Sequence, residues 1–576
     1  MSGARRIERR ARAAEGGLSA SIHPVLRRVY AARGLREDRD LDLSLAGLLP
    51  VGSLAGTAEA ASLLEAHRRD GRVLVIGDFD ADGATSSALM VRSLRALGFA
   101  EVDFLVPDRF RFGYGLSPEI VACAAPKRPS LIVTVDNGVS SLEGVAAARA
   151  LGIAVLVTDH HLAGRELPAA DVIVNPNLPS SAFASPALAG VGVAFYVIAA
   201  LARRLPEVGF NPAQLLDLVA LGTVADVVPL DRNNRILVAQ GLRRIRSGRC
   251  VPGLRALLEA GSRRLDEVAA ADLGFAAAPR LNAAGRIADM RIGIECLLAD
   301  SPEAAAPLAA RLSALNEERR GIERRMQSEA IDLAAAMHLS AGADAALGLC
   351  LFEESWHQGV VGLVAGRIKE RLHRPVIAFA AAADGTLRGS ARSIAGVHVR
   401  DALEAITVRH PGLIEKFGGH AMAAGLTLRR ENLEPFRAAF AAEVAARADA
   451  ATLDGVIHSD GELAADEFSL DTARALAAGG PWGQGFAEPL FDGEFEVREA
   501  RIVGERHLKM KLSPPGGGAG AIEAIAFGHV DGAGLLPRVG GRVAAAYQLE
   551  VNEWNGRERL QLNCRHLQIL PAGRDG

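Results

Sequence analysis

From about residue 45 to 230 the chain repeats one pattern: a short β-branched run, an abrupt polar tip, then an Ala/Leu-rich segment with helical spacing. The runs are RVLVIG (72–77), LIVTV (131–135), AVLVT (154–158) and DVIV (171–174). Fully apolar strands alternating with helices predict a parallel α/β sheet. Between 300 and 340 the pattern becomes one long charged helix, opened by Ser301 as N-cap and Pro302 at the first helical position, which is expected to connect two domains. Strand-like runs resume at LGLCLF (347–352) and PVIAFA (375–380) around the helical VVGLVAGRIKERL, predicting a second, smaller α/β unit. From about 455 onward the segments FEVREARIV, HLKMKLS, IEAIAFG, RVAAAYQLEV and RLQLNCRHLQI alternate in polarity between glycine-rich turns. Short strands at this spacing predict a small closed β-barrel, with the OB-fold the natural candidate, and SPPGGGAGA (513–521) reads as a flexible hairpin loop. The expected fold class is α/β multidomain, divided as 1–45, 46–300, 301–340, 341–450 and 451–576.

Composition narrows the class. At 576 residues the chain exceeds what one hydrophobic core can serve, so several domains are required. No uninterrupted, charge-free apolar run reaches the ~18 residues of a membrane span, so a soluble protein is expected. The start, MSGARRIERRARAAEGG, is Arg-rich with no apolar segment behind it, and is read as a frayed, solvated tail rather than a secretory signal. The five cysteines form no CxxC pair, which fits a reducing cytoplasm and argues against a disulfide scaffold or a thiolate zinc site. Net charge is −3, but residues 45–230 carry 18 acidic against 13 basic side chains, while 357–430 carry 11 basic against 5 acidic. An acidic half suited to cations thus precedes a basic segment suited to phosphate.

The polar tips carry the chemistry. RVLVIG runs into Asp78, Asp80 and Asp82 in GDFDADG; LIVTV runs into Asp136 in VDNG; AVLVT runs into Asp159, His160 and His161. In an open parallel sheet the carboxyl ends of the strands share one edge, where ligands bind, so these side chains should converge. Carboxylates crowded together raise one another's pKa and call for a compensating cation. Oxygen donors mixed with imidazole favour Mn²⁺ or Mg²⁺, and two ions neutralise such a cluster more readily than one. Asp226, in GTVADVVPL, is the fourth acidic element.

Taken in order, DFDADG, VDNG, TDHH and GTVADVVPL resemble the four motifs of the DHH phosphoesterase superfamily. The resemblance implies metal binding by Asp80, Asp82, Asp136, His160 and Asp226, with Asp78 an adjacent ligand; Asp159 would orient and His161 would contact a metal or the scissile phosphate. Two bound ions would supply an activated water for in-line attack on phosphorus, with no protein nucleophile.

The substrate is read from the rest of the chain. APRLNAAGRI (278–287) offers Arg280, Asn282 and Arg286 as donors suited to backbone phosphate, and is similar to a segment of RecJ-type exonucleases. In the smaller unit, His357 and Gly359 stand at a helix start, where backbone N–H groups attract anions. Arg388, Ser390, Arg392 and Ser393 add donors on a strand-like segment, and Gly418, Gly419 and His420 form a backbone-rich loop in GGHAMAAG, which resembles the signature of the DHHA1 domain that accompanies DHH domains. The barrel adds a plausible single-strand platform, on which Trp554, Tyr547 and Phe527 are either base-stacking or core residues.

Together these features resemble the RecJ family. The resemblance implies a DHH catalytic domain, a DHHA1-type substrate-binding domain and an OB-fold, in a monomeric cytoplasmic enzyme that degrades single-stranded DNA 5′→3′ to 5′ mononucleotides in recombination and repair, with a single-strand-binding protein and a helicase as expected partners. Two alternatives stand beside it: an oligoribonuclease or cyclic-dinucleotide phosphodiesterase of the same superfamily, and an inactive DNA-binding scaffold. The extra barrel counts against the first, and the complete set of carboxylates against the second.

Overall fold

The structure is a computed structural model of the whole chain; it describes all residues except 1–4, 110, 341–346, 505–506, 515–519, 530–535, 555 and 572–576. It divides into two compact units, a larger one of residues 9–314 and 459–576 and a smaller one of residues 1–8 and 315–458. Among the described residues no single helix is long and apolar enough to cross a membrane.

The larger unit is built on five parallel strands: β1 (Arg72–Gly77), β2 (Glu101–Leu105), β3 (Leu131–Val135), β4 (Ala154–Thr158) and β5 (Val172–Val174). Their spatial order is β2-β1-β3-β4-β5. Gly77 pairs with Val135 and Val135 with Thr158, so the three central strands end level with one another. Every residue of β3 is buried, as a strand covered by helices on both faces requires.

The N-terminal segment is not the solvated tail that its charge suggests. Residues Arg5–Arg9 form a strand that pairs with Gly455–Ser459. Helix Pro24–Ala32 buries Val25, Leu26, Val29 and Tyr30, which its pitch gathers on one face. Tyr30 Oη donates to the Gly479 carbonyl at 2.8 Å, and Arg33 forks onto the two carboxylate oxygens of Asp460 at 2.8 and 3.0 Å. Arg9, within the stretch that reads as disordered, likewise donates to Asp492, 483 positions away, from Nε at 3.0 Å and Nη2 at 2.7 Å.

Five further strands close a barrel in the order β11-β12-β13-β15-β14, namely β11 (Phe491–Val503), β12 (His507–Ser513), β13 (Ile522–Ala526), β14 (Arg542–Trp554) and β15 (Arg557–Ile569). Alternate residues fill it, among them Phe491, Phe495, Leu508, Met510, Val543 and Leu562. Tyr547 is part of this core, whereas Phe527 is 58% exposed. The side chain of Trp554, and the middle of the glycine-rich loop expected at 513–521, lie outside the described residues.

In the smaller unit the sheet order is β9-β10-β8-β7-β6, with β6 (Leu349–Phe352) parallel to β7 (Val376–Ala381), and β8 (Thr386–Arg392), β9 (Lys416–Gly419) and β10 (Ala423–Arg429) antiparallel. Phe379, Leu387, Leu403, Leu426, Phe436 and Phe440 form its core on one face. The long helix runs Pro302–Ser340; Ser301 Oγ accepts the Ala304 N–H at 3.2 Å, the cap that the sequence predicts.

Candidate metal centre

The ends of β1, β3 and β4, together with two helix termini, assemble one acidic pocket in the larger unit. Asp78 follows β1 directly. Asp80 is the N-cap of helix Ala81–Ala96: its Oδ1 accepts the N–H groups of Asp82 and Gly83, each at 3.0 Å, which fixes the carboxylate at the helix start. Asp136 follows β3 with φ 62°, a left-handed backbone uncommon outside glycine, and such strain concentrates where geometry is held for function. Asp226 ends helix Leu216–Ala225, and Val227 immediately after it has φ 61°.

Three overlapping sets of ligand atoms lie within 4.8 Å of one another: Asp78, Asp80 and Asp136; Asp82, His160 and Asp226; and Asp136, His160 and His161. His160 Nε2 joins the sets, 3.0 Å from Asp136 Oδ1 and 3.5 Å from Asp226 Oδ2. Asp82 is buried, and its carboxylate accepts the Gly190 N–H at 2.6 Å and the Val191 N–H at 3.0 Å, at the positive end of helix Gly190–Arg204.

Burial pushes the Asp78, Asp82 and Asp136 carboxyls well above their usual range, and the neighbouring carboxylates push them further. Asp226 is pushed up to about 7, again by burial and then by Asp80. Asp78 Oδ1 is buried with no hydrogen-bond partner among the described residues. A cluster of acids this repelled, with a buried carboxylate oxygen unsatisfied, fits divalent cations, and the all-oxygen and imidazole donor set fits Mn²⁺ or Mg²⁺.

Asp159 belongs to none of these three ligand sets. Its Oδ1 accepts the His160 and His161 N–H groups at 2.7 and 3.1 Å and pairs with His161 Nδ1 at 2.8 Å, while Oδ2 accepts the Val139 N–H at 2.9 Å. Burial alone would raise Asp159, but the His161 hydrogen bond and the backbone donors hold it below the usual carboxylate range. For His161, burial works against the charged ring and the Asp159 bond outweighs it, raising the imidazole from 6.5 to about 9.

Several residues around the pocket have no motif to announce them. Asn177 Nδ2 donates to the His160 carbonyl at 2.6 Å and Asn175 Nδ2 to that of His161 at 2.9 Å, so the turn after β5 holds the histidine pair. Both lie in VNPN at the end of a predicted strand, and the strand-end argument that found the acids applies to them equally. Tyr114 Oη donates to the Asp136 carbonyl at 3.1 Å and lies 3.0 Å from His161 Nδ1. The Arg109 guanidinium sits 4.4 Å from the Phe79 ring centroid, and Asp78 and Asp80 act on its charge.

Residues 72–223 match the DHH family, N-terminal domain, residues 344–446 the DHHA1 domain and residues 459–566 the RecJ OB domain. The single-stranded-DNA-specific exonuclease RecJ of Dickeya dadantii is 54% identical over 98% of this chain and 99% of its own, and that of Escherichia coli is 52% identical over 95% and 96%. The chain belongs to the RecJ family. The crystal structure of Thermus thermophilus RecJ in complex with Mn²⁺ has 34% sequence identity and superposes with a TM-score of 0.79, covering 96% of this chain and 76% of that one. A second solved RecJ, bound to manganese, covers 69% of this chain with a TM-score of 0.58.

Against this RecJ background the remaining motif residues divide. APRLNAAGRI is helical, spanning Ala278–Ile287. Arg280, expected on substrate phosphate, makes contacts within the protein: Nε donates to Ser313 Oγ at 2.9 Å, Nη1 to the Ala276 carbonyl at 2.6 Å and Nη2 to that of Ala260 at 2.8 Å. Asn282 accepts the Ala81 N–H at 2.8 Å, inside the acidic turn. Arg286 occupies the last turn of the same helix.

In the smaller unit, Ser390 pairs across the sheet with Gly425 and Gly425 with Gly418, so two glycines leave bare backbone beside the serine. Arg392 Nη1 donates to Ser390 Oγ at 3.0 Å. Helix Val361–Leu372 begins over this spot: a Cβ on Gly362 would meet Ser390 Oγ at 2.8 Å and Arg392 Nη2 at 2.9 Å. His357 lies in the turn before the helix, where its Nδ1 accepts the Gly359 N–H at 3.1 Å, and His420 follows Gly419 at the tip of the β9–β10 hairpin. Arg388 and Ser393 are engaged elsewhere, Arg388 with Asp384 at 3.0 Å and Thr427, and buried Ser393 with the Val397 carbonyl.

Proposed function

We propose that the chain is a metal-dependent exonuclease that degrades single-stranded DNA 5′→3′ to 5′ mononucleotides, acting in recombination and repair. The observation that carries this reading is the convergence of Asp78, Asp80, Asp82, Asp136, His160 and Asp226 at one sheet edge, with ligand atoms within 4.8 Å in each set. These six residues would hold two Mn²⁺ or Mg²⁺ ions, which when bound activate water and neutralise charge on the scissile phosphate. The single-strand-specific exonuclease activity of its RecJ relatives and the Mn²⁺ and Mg²⁺ of solved RecJ structures support the assignment.

The chain's own groups do the rest. Asp159 holds the His161 ring by Nδ1, turning the opposite edge of the imidazole outward as a donor for a phosphate oxygen. Asn175 and Asn177 hold the backbone from which both histidines project. In the smaller unit Ser390, Arg392, His357 and the bare backbone at Gly418, Gly419 and His420 form a shelf suited to a phosphate group, because a helix start and a guanidinium face the same strand. The absence of paired cysteines agrees with a cytoplasmic enzyme. A single-strand-binding protein and a helicase, which expose and protect such substrates, are the partners we assign.

Digestion of 5′- and 3′-labelled single strands, duplexes and short RNAs with Mn²⁺ tests the reading. Mononucleotides released from 5′ ends of single-stranded DNA are expected, and Asp136→Ala and His160→Ala should abolish release while circular dichroism stays unchanged. Release from 3′ ends only, preference for RNA dimers, or near-normal rates in either variant would overturn it.

A further inference from the structure

The segment that resembles a phosphate-binding motif also makes contacts inside this fold. Ala81 lies between the acids Asp80 and Asp82, and its N–H is one of the first-turn donors that a helix cannot satisfy internally. Asp82 and Gly83 find the Asp80 carboxylate, and Ala84 bonds the Asp80 carbonyl at 2.9 Å. Ala81 instead donates to Asn282 Oδ1 at 2.8 Å, a residue 201 positions away. Because the partner is an N–H, the amide oxygen of Asn282 must face it, which sets the amide's orientation.

One turn along the same helix, Gly285 grips the other flank. A Cβ built there would stand 1.8 Å from the Phe79 carbonyl oxygen, so only glycine admits the backbone of the acidic turn at this distance. Asn282 and Gly285, spaced i and i+3, therefore hold the residues on either side of Asp80, at Ala81 and at Phe79. The helix that carries them is fixed by Arg280, whose three bonds reach the Ala260 and Ala276 carbonyls and Ser313. Arg109 stacks on Phe79 from the outside. Mutual repulsion among Asp78, Asp80 and Asp136 acts to open this turn before any cation arrives.

We infer that Asn282 is a positioning residue of the metal centre, whose side-chain oxygen fixes the turn bearing Asp80 and Asp82, and that it does not contact substrate phosphate. The inference rests on the metal-centre reading above. Groups that hold metal ligands in place typically change metal affinity by roughly 10- to 100-fold when lost.

The test measures Mn²⁺ binding to the full chain by the loss of the free-ion paramagnetic resonance signal, and binding of a single-stranded oligonucleotide in EDTA by fluorescence anisotropy. Asn282→Gln keeps a polar amide but carries the acceptor a methylene further out; Asn282→Asp keeps an acceptor at the original reach. Asn282→Gln should weaken Mn²⁺ binding by about 10-fold or more and leave oligonucleotide binding unchanged, while Asn282→Asp stays nearer the parent for Mn²⁺. Parental Mn²⁺ binding in Asn282→Gln, with or without lost oligonucleotide affinity, overturns the inference. So does equal loss of Mn²⁺ in both variants, since the hydrogen bond would then not be the cause. Asp136→Ala separates the two levels: if it binds Mn²⁺ like the parent, the metal centre itself is wrongly placed, and if it does not, only the role of Asn282 is at stake.

Discussion

Asp159→Asn probes how the His161 ring is held. In the parent one carboxylate oxygen serves three donors, His160 N, His161 N and His161 Nδ1, and the other serves Val139 N–H at 2.9 Å. Asparagine keeps the size and one acceptor but presents an NH₂ group to the Val139 N–H, leaving a buried amide without a partner at ~1–3 kcal/mol. It also removes the charge that, against the opposing effect of burial, lifts His161 from 6.5 to about 9. At ~1.4 kcal/mol per pH unit this corresponds to ~3 kcal/mol in favour of the imidazolium, reduced to roughly 2 kcal/mol by solvent screening of a partly exposed ring. His161 is raised in the folded state, so its contribution is complete below 6.5 and disappears as pH climbs through about 9. In EDTA the variant's stability deficit should therefore be largest near about pH 6 and shrink by about pH 10 to the Val139 share alone. Urea unfolding at those two pH values measures the deficit, and NMR of ¹³C-labelled histidines follows the ring directly. Cleavage with Mn²⁺ should fall by about 10- to 100-fold, as for other groups that orient a site's working residues. A His161 signal titrating near 6.5 in the parent, or a deficit of equal size at both pH values, would refute the argument.

Three further outcomes are expected. Arg392→Ala should weaken oligonucleotide binding and lower the slope of log K against log salt by about one, since one fewer phosphate charge is neutralised; an unchanged slope argues against phosphate contact. Arg33→Ala removes the two-pronged partner of Asp460, whose side chain is 2% exposed and keeps Arg10 at 3.6 Å and the Leu490 N–H at 3.0 Å, and should destabilise the larger unit by ~1.5–3 kcal/mol in denaturant unfolding; a loss below about 1 kcal/mol would mark the pair as a surface one. Adding Mn²⁺ at ~100 times its dissociation constant should stabilise the parent by about 2.7 kcal/mol and leave Asp136→Ala unmoved; equal stabilisation of both would place the ion elsewhere.

Much of this architecture can be read from the chain because its signals are local. Strands that are apolar throughout and end abruptly in acids reveal both the parallel sheet and the edge at which Asp78, Asp136 and Asp159 emerge. A change of period from helical to alternating marks where the barrel begins. What escapes such reading depends on direction rather than type. Arg280 and Asn282 have the polar groups of a phosphate site, and in the fold Arg280 also donates to the Ala260 carbonyl while Asn282 accepts the Ala81 N–H. Nothing local records that orientation, since it is set by packing against residues some 200 positions earlier. Tyr114 lies between two glycines of positive φ in a loop with no periodicity, and only the folded chain places it beside His161. The N-terminal segment misleads for the same reason: its arginines count as solvated charge until Asp460, Glu467 and Asp492 are placed opposite them.

That last arrangement orders events during synthesis. Helix Pro24–Ala32 leaves the ribosome early, yet the Gly479 carbonyl that receives Tyr30 is made 449 residues later. At ~5–20 residues per second the wait is about 20–90 s. Throughout it Val25, Leu26, Val29 and Tyr30 lack the last-made residues against which they finally pack. Chains cut short before the barrel would carry that apolar stripe exposed, a natural mark for chaperones and proteases to distinguish unfinished copies from complete ones.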